Sequence, residues 1–340
     1  MQRTRKYSSE QLAGLLPFPA AKANKYTRGK ATLVVGSAEY PGAACLAARA
    51  AERMGAGYTE VACAPESVAA VRAASDSLVV RDWSDLVAYS EIDPDERGVG
   101  VPQLPNSAAA STTALQLQTI MAARPTRLAP RPSVLGPAAP ASRNHPCAFL
   151  VGSGFNAADP LSETLTCTVL GGAATAVVVD GGGLAALATP EARLILRQRF
   201  VDGMPTVITP HLGEAARLAA ALDLPTEDPA HLAKLLSLAY GVIAMVKGPD
   251  TFVSDGGAVY RMSGGTAALA KAGTGDVLAG MTCALLAQGL EPVDACMLAA
   301  TLHARAGAAA ADRLTDICVA AGDVVDALPE AIRELLKAAK

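Results

Sequence analysis

Large aromatic side chains are scarce in this chain: Phe, Tyr and Trp make up 4% of its 340 residues, and there is a single tryptophan. A core without rings has to be filled by small aliphatic groups, and with 51% hydrophobic residues and 30 glycines the material is present for helices and strands in close contact. A basic excess is also missing. The 29 Lys and Arg face 32 Asp and Glu, for a net charge of -3, which excludes the clustered cations on which nucleic-acid binding rests. No CxxC pair occurs among Cys45, Cys63, Cys147, Cys167, Cys283, Cys296 and Cys318, so neither a disulfide framework nor a tight zinc site is expected, and reduced thiols suggest a cytoplasmic address. No apolar run is long enough for a membrane span. The best, 164–179, is interrupted by glycines and threonines and falls short of the roughly 20 residues needed. The basic Arg3, Arg5 and Lys6 before an apolar stretch imitate an export signal, but Glu10, Pro17 and Pro19 break it. P-loop and GxSxG signatures are absent too.

What is present is an alternation of short β-branched runs and alanine-rich helical stretches. Strands are predicted at 31–35, 58–64, 147–151, 174–179, 206–209 and 242–246, with a hairpin from 251–254 and 258–262 around Asp255-Gly256-Gly257. Helices are predicted at 9–16, 43–54, 161–171, 184–199, 215–222, 232–240, 276–288 and 293–312, with a last one from about 322. Strand, glycine loop, helix and strand over 31–64 form a βαβ unit, whose crossover is right-handed. The loop from Gly36 to Gly42 lacks GxGxxG spacing and contains Tyr40-Pro41, which argues against a dinucleotide-binding Rossmann half. Between 93 and 143 the composition shifts to Pro, Ala, Ser, Thr and Arg, with helical character only at 113–123, and a flexible insertion is expected there.

Every polar cluster falls at the end of a predicted strand: Gly36-Ser37, Gly152-Ser153-Gly154, Asp180, His211 and Lys247. That is the arrangement of a site along one edge of an open α/β sheet. The most distinctive stretch is Gly273-Thr274-Gly275-Asp276, which runs straight into an apolar helix. Glycines admit a ligand to the backbone, and a helix start offers unpaired N–H groups to an anion. Asp276 serves there either as a helix cap or as a proton acceptor for a substrate hydroxyl, and the stretch alone leaves both open. Lys247 with Gly248 and Thr251 suits a nucleotide phosphate, although a lysine in a surface turn reads the same way. His211 is as consistent with capping as with a substrate contact, Glu214 with simple pairing to a helix start, and His303 and Arg305 read as structural or interfacial. Asp180, at the end of a strongly apolar strand, needs a hydrogen-bonding partner or a metal to be tolerable there.

The segments Tyr40-Pro-Gly-Ala-Ala44, Thr209-Pro-His-Leu-Gly-Glu214, Val246-Lys-Gly-Pro-Asp-Thr251 and Ala272-Gly-Thr-Gly-Asp-Val-Leu-Ala-Gly280, in that order, resemble the ADP-dependent NAD(P)H-hydrate dehydratase family over about 22–328. The resemblance implies one ribokinase-like domain over 1–340, a three-layer α/β/α fold with a central, mostly parallel sheet. The chain is too short for the epimerase domain fused to some members. The implied reaction is ADP-dependent dehydration of the (S)-form of hydrated NADH or NADPH, with Mg2+ accompanying the nucleotide and a homotetramer as the expected assembly. By motif position, Lys247, Gly248, Pro249, Asp250, Thr251 and Gly275 would hold the nucleotide. Ala43, Gly154, His211 and Asp276 would contact the hydrated dinucleotide, and Gly273, Thr274 and Gly275 would form an anion hole. In kinase relatives the Asp of this motif activates a hydroxyl, so Asp276 is the expected catalytic group. The alternative is a ribokinase-like kinase of a small alcohol, and a nucleotide-binding sensor without turnover is a third possibility. Two departures stand out: Asp180-Gly-Gly-Gly-Leu184 where the family has DADAL, and Gly152-Ser-Gly-Phe155 where it has Gly-Pro-Gly-Leu.

Overall fold

The computed structural model describes residues 3–84, 86 and 146–340. The insertion expected at 93–143, with its helix at 113–123, lies outside the described residues. A single nine-stranded sheet runs in the order β3-β2-β1-β4-β5-β6-β7-β8-β9. Its strands are β1 (Lys30–Val34), β2 (Tyr58–Cys63), β3 (Val79–Asp82), β4 (Cys147–Val151), β5 (Ala176–Val179), β6 (Thr206–Ile208), β7 (Ile243–Val246), β8 (Thr251–Ser254) and β9 (Val259–Met262). Strands β1 to β7 pair in parallel, and the β8–β9 hairpin closes one edge antiparallel. The expected mostly parallel sheet with helices on both faces is present.

β1 pairs with β2 on one side and β4 on the other, in register from Lys30 opposite both Tyr58 and Cys147. The chain leaves β1 outward to β3 and resumes on the opposite side at β4. The helices after β1 and β4 therefore pack on opposite faces of the sheet, and the carboxyl ends of these two strands mark the kind of place where open α/β sheets bind ligands. β3 was not predicted. Only Val80 of its four residues is buried, because an edge strand of Val-Val-Arg-Asp carries too little apolar pattern to be read.

Two buried clusters cover the two sheet faces. Helices Pro41–Arg53, Thr274–Ala287, Pro292–Leu314 and Ala321–Ala338 form one layer, and Pro160–Gly172, Pro190–Val201, Leu212–Ala220 and Pro229–Tyr240 the other. The shortage of rings is met by close approach. Gly280 sits against the helix Pro41–Arg53 so tightly that a Cβ there would stand 2.2 Å from the Ala47 carbonyl oxygen. In the other layer the buried Arg199 donates to Thr206 Oγ1 and to the carbonyls of Leu170, Ala173, Thr175 and Pro205. Burial lowers its pKa to about 10, and the carbonyls replace the water that its guanidinium loses.

Several helices begin earlier than their apolar pattern does, because the chain supplies caps. Asp228 accepts from Ala230 N ahead of Pro229, and Thr189 caps Pro190, dividing the single helix predicted at 184–199 into Gly183–Ala186 and Pro190–Val201. Among the described residues no helix is long and apolar enough to cross a membrane.

Candidate functional site

The loops following β1, β4, β5, β6 and β7 are stitched together at the carboxyl edge. Gly36 N donates to Ser153 O at 2.9 Å, Ser37 N to Gly154 O at 3.0 Å, and Lys247 N to Pro210 O at 2.8 Å. The polar clusters that ended the predicted strands thus meet in one place. At their centre is Asp180, only 3% exposed. Its Oδ1 accepts from Thr209 Oγ1 at 2.5 Å and Lys247 Nζ at 2.9 Å, and its Oδ2 accepts from Ser153 Oγ at 3.0 Å. The requirement that burial placed on Asp180 is met by three donors from three neighbouring strand ends.

Asp276 faces this cluster from the opposite layer. The helix Thr274–Ala287 has Gly273 as its N-cap, at φ 92°, with no side chain capping it. The carboxylate therefore lies inside the first turn and is not the cap, which corrects the reading of Asp276 as a helix cap. A residue with a side chain is strained at that φ, so glycine is what lets the loop turn directly into the helix. Uncapped amides are left at the helix start, and Thr274 Oγ1, donating to Leu269 O and Lys271 O, fixes the loop behind them. Burial and the nearby Asp180 push the Asp276 pKa up to about 6, against the lowering effect of Lys247 and the Ser153 hydroxyl. For Lys247, burial opposes the ammonium, but Asp180, Glu214 and Asp276 together outweigh it and hold the group above the ordinary lysine range. Two carboxylates and one ammonium thus share a partly dehydrated corner, where Asp180 is hydrogen-bonded on both oxygens and the Asp276 pKa is raised toward neutral pH.

Two cavities, each of about 710 Å³, open on either side of this corner. Lys247, Gly248, Pro249, Thr251, Thr274 and Gly275 line the first, with Met262, Leu269 and Ala300 making its apolar part. A Cβ on Gly275 would lie 3.3 Å from Lys247 Nζ, so the ammonium stands directly beside the helix start. Gly154, Tyr40, Phe155, Leu184, Glu214 and Arg217 line the second. Asp276 lines neither cavity but lies between them, next to Gly275 of the first and interacting with Ser153, which precedes Gly154 of the second, and with Lys247.

The remaining expected site residues distribute unevenly. Ala43 packs on Gly154: a Cβ at Gly154, whose φ is 73°, would stand 2.6 Å from that of Ala43. Asp250 turns away to pair with Arg261 at 2.6 Å. His211 lines the first cavity, on the nucleotide side, rather than the second. It is also the N-cap of Leu212–Ala220: Nδ1 accepts from Gly213 N and Glu214 N, while Glu214 Oε2 accepts from His211 N at 2.8 Å. Capping and a cavity position coexist in this one residue. The two family departures prove to be one feature. A Cβ on Gly182 would fall 2.3 Å from the Phe155 carbonyl oxygen, and Ser153 supplies a hydroxyl to Asp180 that proline lacks.

The sequence reading missed Ser153 and Thr209 as partners, and it placed His303 outside the site. His303 is 8% exposed, lines the first cavity beside Thr274, and has an Nε2 with no partner among the described residues. Burial lowers its pKa to about 4, so it stays neutral. Position within a helix held no signal for this. Ser153 and Thr209 carried one in their place at strand ends.

Comparison with known proteins shows the family and the fold. The model of a family described as NAD(P)H-hydrate dehydratase matches residues 31–97 and 100–330. The bifunctional NAD(P)H-hydrate repair enzyme Nnr of Mycobacterium leprae (strain TN) is 30% identical over 303 residues, covering 88% of this chain and 50% of that protein. The chain therefore spans about half the length of such bifunctional relatives. The ADP-dependent (S)-NAD(P)H-hydrate dehydratase of Xanthomonas campestris is 28% identical over 315 residues, covering 92% of this chain and 91% of that one. In fold, the chain is similar to the ADP/ATP-dependent NAD(P)H-hydrate dehydratase of Bacillus subtilis co-crystallized with ATP/Mg2+, with a TM-score of 0.73 at 21% identity, covering 98% of this chain and 100% of that one. A ribokinase-like superfamily protein of Enterococcus faecalis V583 gives 0.70 at 19% identity, covering 98% and 97%.

Proposed function

Because the chain belongs to the NAD(P)H-hydrate dehydratase family, we propose that it removes water from the (S)-form of hydrated NADH and NADPH in an ADP-dependent repair reaction. The observation that carries this reading is the corner itself: a carboxyl group near neutrality, set between a cavity with a phosphate seat and a second cavity of equal size. Each volume lies in the range that encloses a small-molecule ligand. Lys247 and the helix-start amides of Gly273 and Gly275 fit the phosphates of ADP, with the base toward Met262, Leu269 and Ala300. Gly248, Pro249 and Thr251 line the loop around that nucleotide, and Asp250 braces it by pairing with Arg261. The hydrated nicotinamide ring fits the second cavity, over Gly154 and Ala43.

In this arrangement Asp276 accepts the proton of the ring hydroxyl as its oxygen attacks the terminal phosphorus of ADP, forming a phosphate ester while the bond to AMP breaks and AMP leaves. Lys247 and the helix-start amides hold the phosphate charge that develops. Breaking the ring C–O bond then expels inorganic phosphate, and the adjacent carbon gives its proton to that phosphate or to water as the ring double bond is restored. Among the described residues no three His, Cys, Asp or Glu side chains stand together as metal ligands. The Mg2+ expected with the nucleotide would thus draw its ligands from phosphate oxygens and water, its usual habit in nucleotide sites. The single-domain reading of 1–340, a cytoplasmic address and a homo-oligomer, with a tetramer favoured, belong to the same proposal and rest on the family resemblance and on the unpaired thiols.

The direct test supplies hydrated NADH or NADPH with ADP or ATP and follows recovery of the reduced-nicotinamide absorbance. ADP-dependent recovery is the expected result. ATP-dependent phosphorylation of a small alcohol, without recovery, would replace this reading with that of a kinase.

A further inference from the structure

We propose that Asp180 is a positioning residue of this site, which holds Lys247 and Ser153 against Asp276 and itself stands as a second carboxylate beside it. The inference deepens the reading above and rests on Asp276 as its proton acceptor.

Lysine has four rotatable side-chain bonds and no preferred direction of its own. Here its ammonium is fixed by a 2.9 Å ion pair to Asp180 Oδ1, beside the helix start that carries Gly275. Asp180 is fixed in turn. Thr209 Oγ1 takes the same oxygen at 2.5 Å and Ser153 Oγ the other at 3.0 Å, and the backbone N–H of Asp180 donates to Val151 O. The donors come from the ends of β4, β6 and β7, so this carboxylate ties together every parallel strand from β4 to β7. A buried acid with both oxygens occupied is poorly placed to take up substrate protons. It is well placed to hold two other groups still, and both of them act on Asp276.

The groups facing Asp276 are few: Asp180 from the end of β5, Lys247 from β7 and Ser153 from β4, besides its own backbone amide. Glu214, at the start of Leu212–Ala220, acts on Lys247 as well. The influences on Asp276 have opposite signs. Asp180 disfavours its anion, whereas Lys247 and the Ser153 hydroxyl favour it. This yields a pair of substitutions with opposed effects, a pattern that general damage to the fold does not produce.

The experiment follows the ionisation of Asp276 by carboxyl 13C NMR in the full chain, with the resonance assigned from Asp276→Asn, alongside the pH profile of turnover. In Asp180→Asn a negative neighbour is lost and Lys247 is left with one carboxylate fewer, so the Asp276 titration moves to lower pH by about one unit or more. Turnover falls at least about tenfold as the ammonium loses its fixed position. In Ser153→Ala, which removes a single oxygen atom, a hydrogen bond to the anion is lost and the titration moves to higher pH. Shifts of opposite sign support the proposal. An unmoved titration in Ser153→Ala, or in Asp180→Asn, or shifts of the same sign, would overturn it. Because NMR reads Asp276 without any reaction, opposed shifts without recovery of NADH would remove the dehydratase reading and leave the positioning role standing.

Discussion

Asp276 is held in a state that costs the folded protein something. Its pKa is about 6, above the ordinary aspartate value of 3.8, because burial and Asp180 disfavour the anion. The folded state therefore binds this proton more tightly than the unfolded chain does. The resulting stabilisation is complete below pH 3.8 and is lost as the pH rises through 6. Above pH 6 the ionised group opposes folding by on the order of 3 kcal/mol. Asp276→Asn is accordingly expected to melt at a temperature equal to or higher than the parent at pH 8, with the advantage gone near pH 4, while turnover drops by about 10²-fold or more. Calorimetry at both pH values and the dehydration assay check this together. A variant that keeps its turnover would take Asp276 out of the chemistry. In the parent, kcat/KM should rise through an acidic limb near pH 6, since the base works only when ionised.

At the scale of elements, the site depends on how closely one helix approaches another. Thr274–Ala287 carries Asp276 on its first turn and Gly280 one turn later, where it meets the backbone of Pro41–Arg53 at Ala47. Alanine at 280 gains about 1 kcal/mol of helix propensity over glycine. It also places a Cβ 2.2 Å from a carbonyl oxygen that belongs to a rigid helix. The clash is the larger effect, as overpacking a dense interior usually costs about 1–3 kcal/mol and backbone yields less than a side chain. Gly280→Ala is expected to lower the unfolding free energy by about 2 kcal/mol in denaturant titration. Unchanged stability would show that the two helices separate freely. Elements were also the level at which sequence reading was least reliable. Caps at Thr189, His211 and Asp228 lengthen or divide helices whose apolar pattern begins later, and β3 buries too little to be recognised.

For the whole molecule, the sheet edge makes the two cavities a single device. The first draws its walls from the β8–β9 side and from the layer containing Thr274–Ala287 and Pro292–Leu314, whereas the second opens over the loops after β1, β4 and β5. On the proposed reading, nucleotide in the first cavity would bridge sheet and helix layer and so stabilise the native state by mass action. At 100 times its dissociation constant ADP should add about 2.7 kcal/mol. The expected result is a rise in melting temperature with ADP that is largely lost in Lys247→Met. An equal rise in that variant would place the phosphates elsewhere.

The sequence by itself determined that the protein is an alternating α/β chain with small-residue packing, that its polar groups stand at strand ends, and that Gly273 to Asp276 opens a helix suited to an anion. These features are local: periodicity, β-branching and glycine act within a few residues of the backbone they shape. The tertiary structure alone decided that Asp180, 96 residues before Asp276 in the numbering, stands close enough to raise its pKa, that Ser153 and Thr209 complete the corner, and that His303 belongs to a cavity wall. Such groups are joined by the order of strands in the sheet, β4-β5-β6-β7, and by the packing of one helix across it. The strength of an acid depends on the water removed and the charges brought near, and both are fixed only when the layers close.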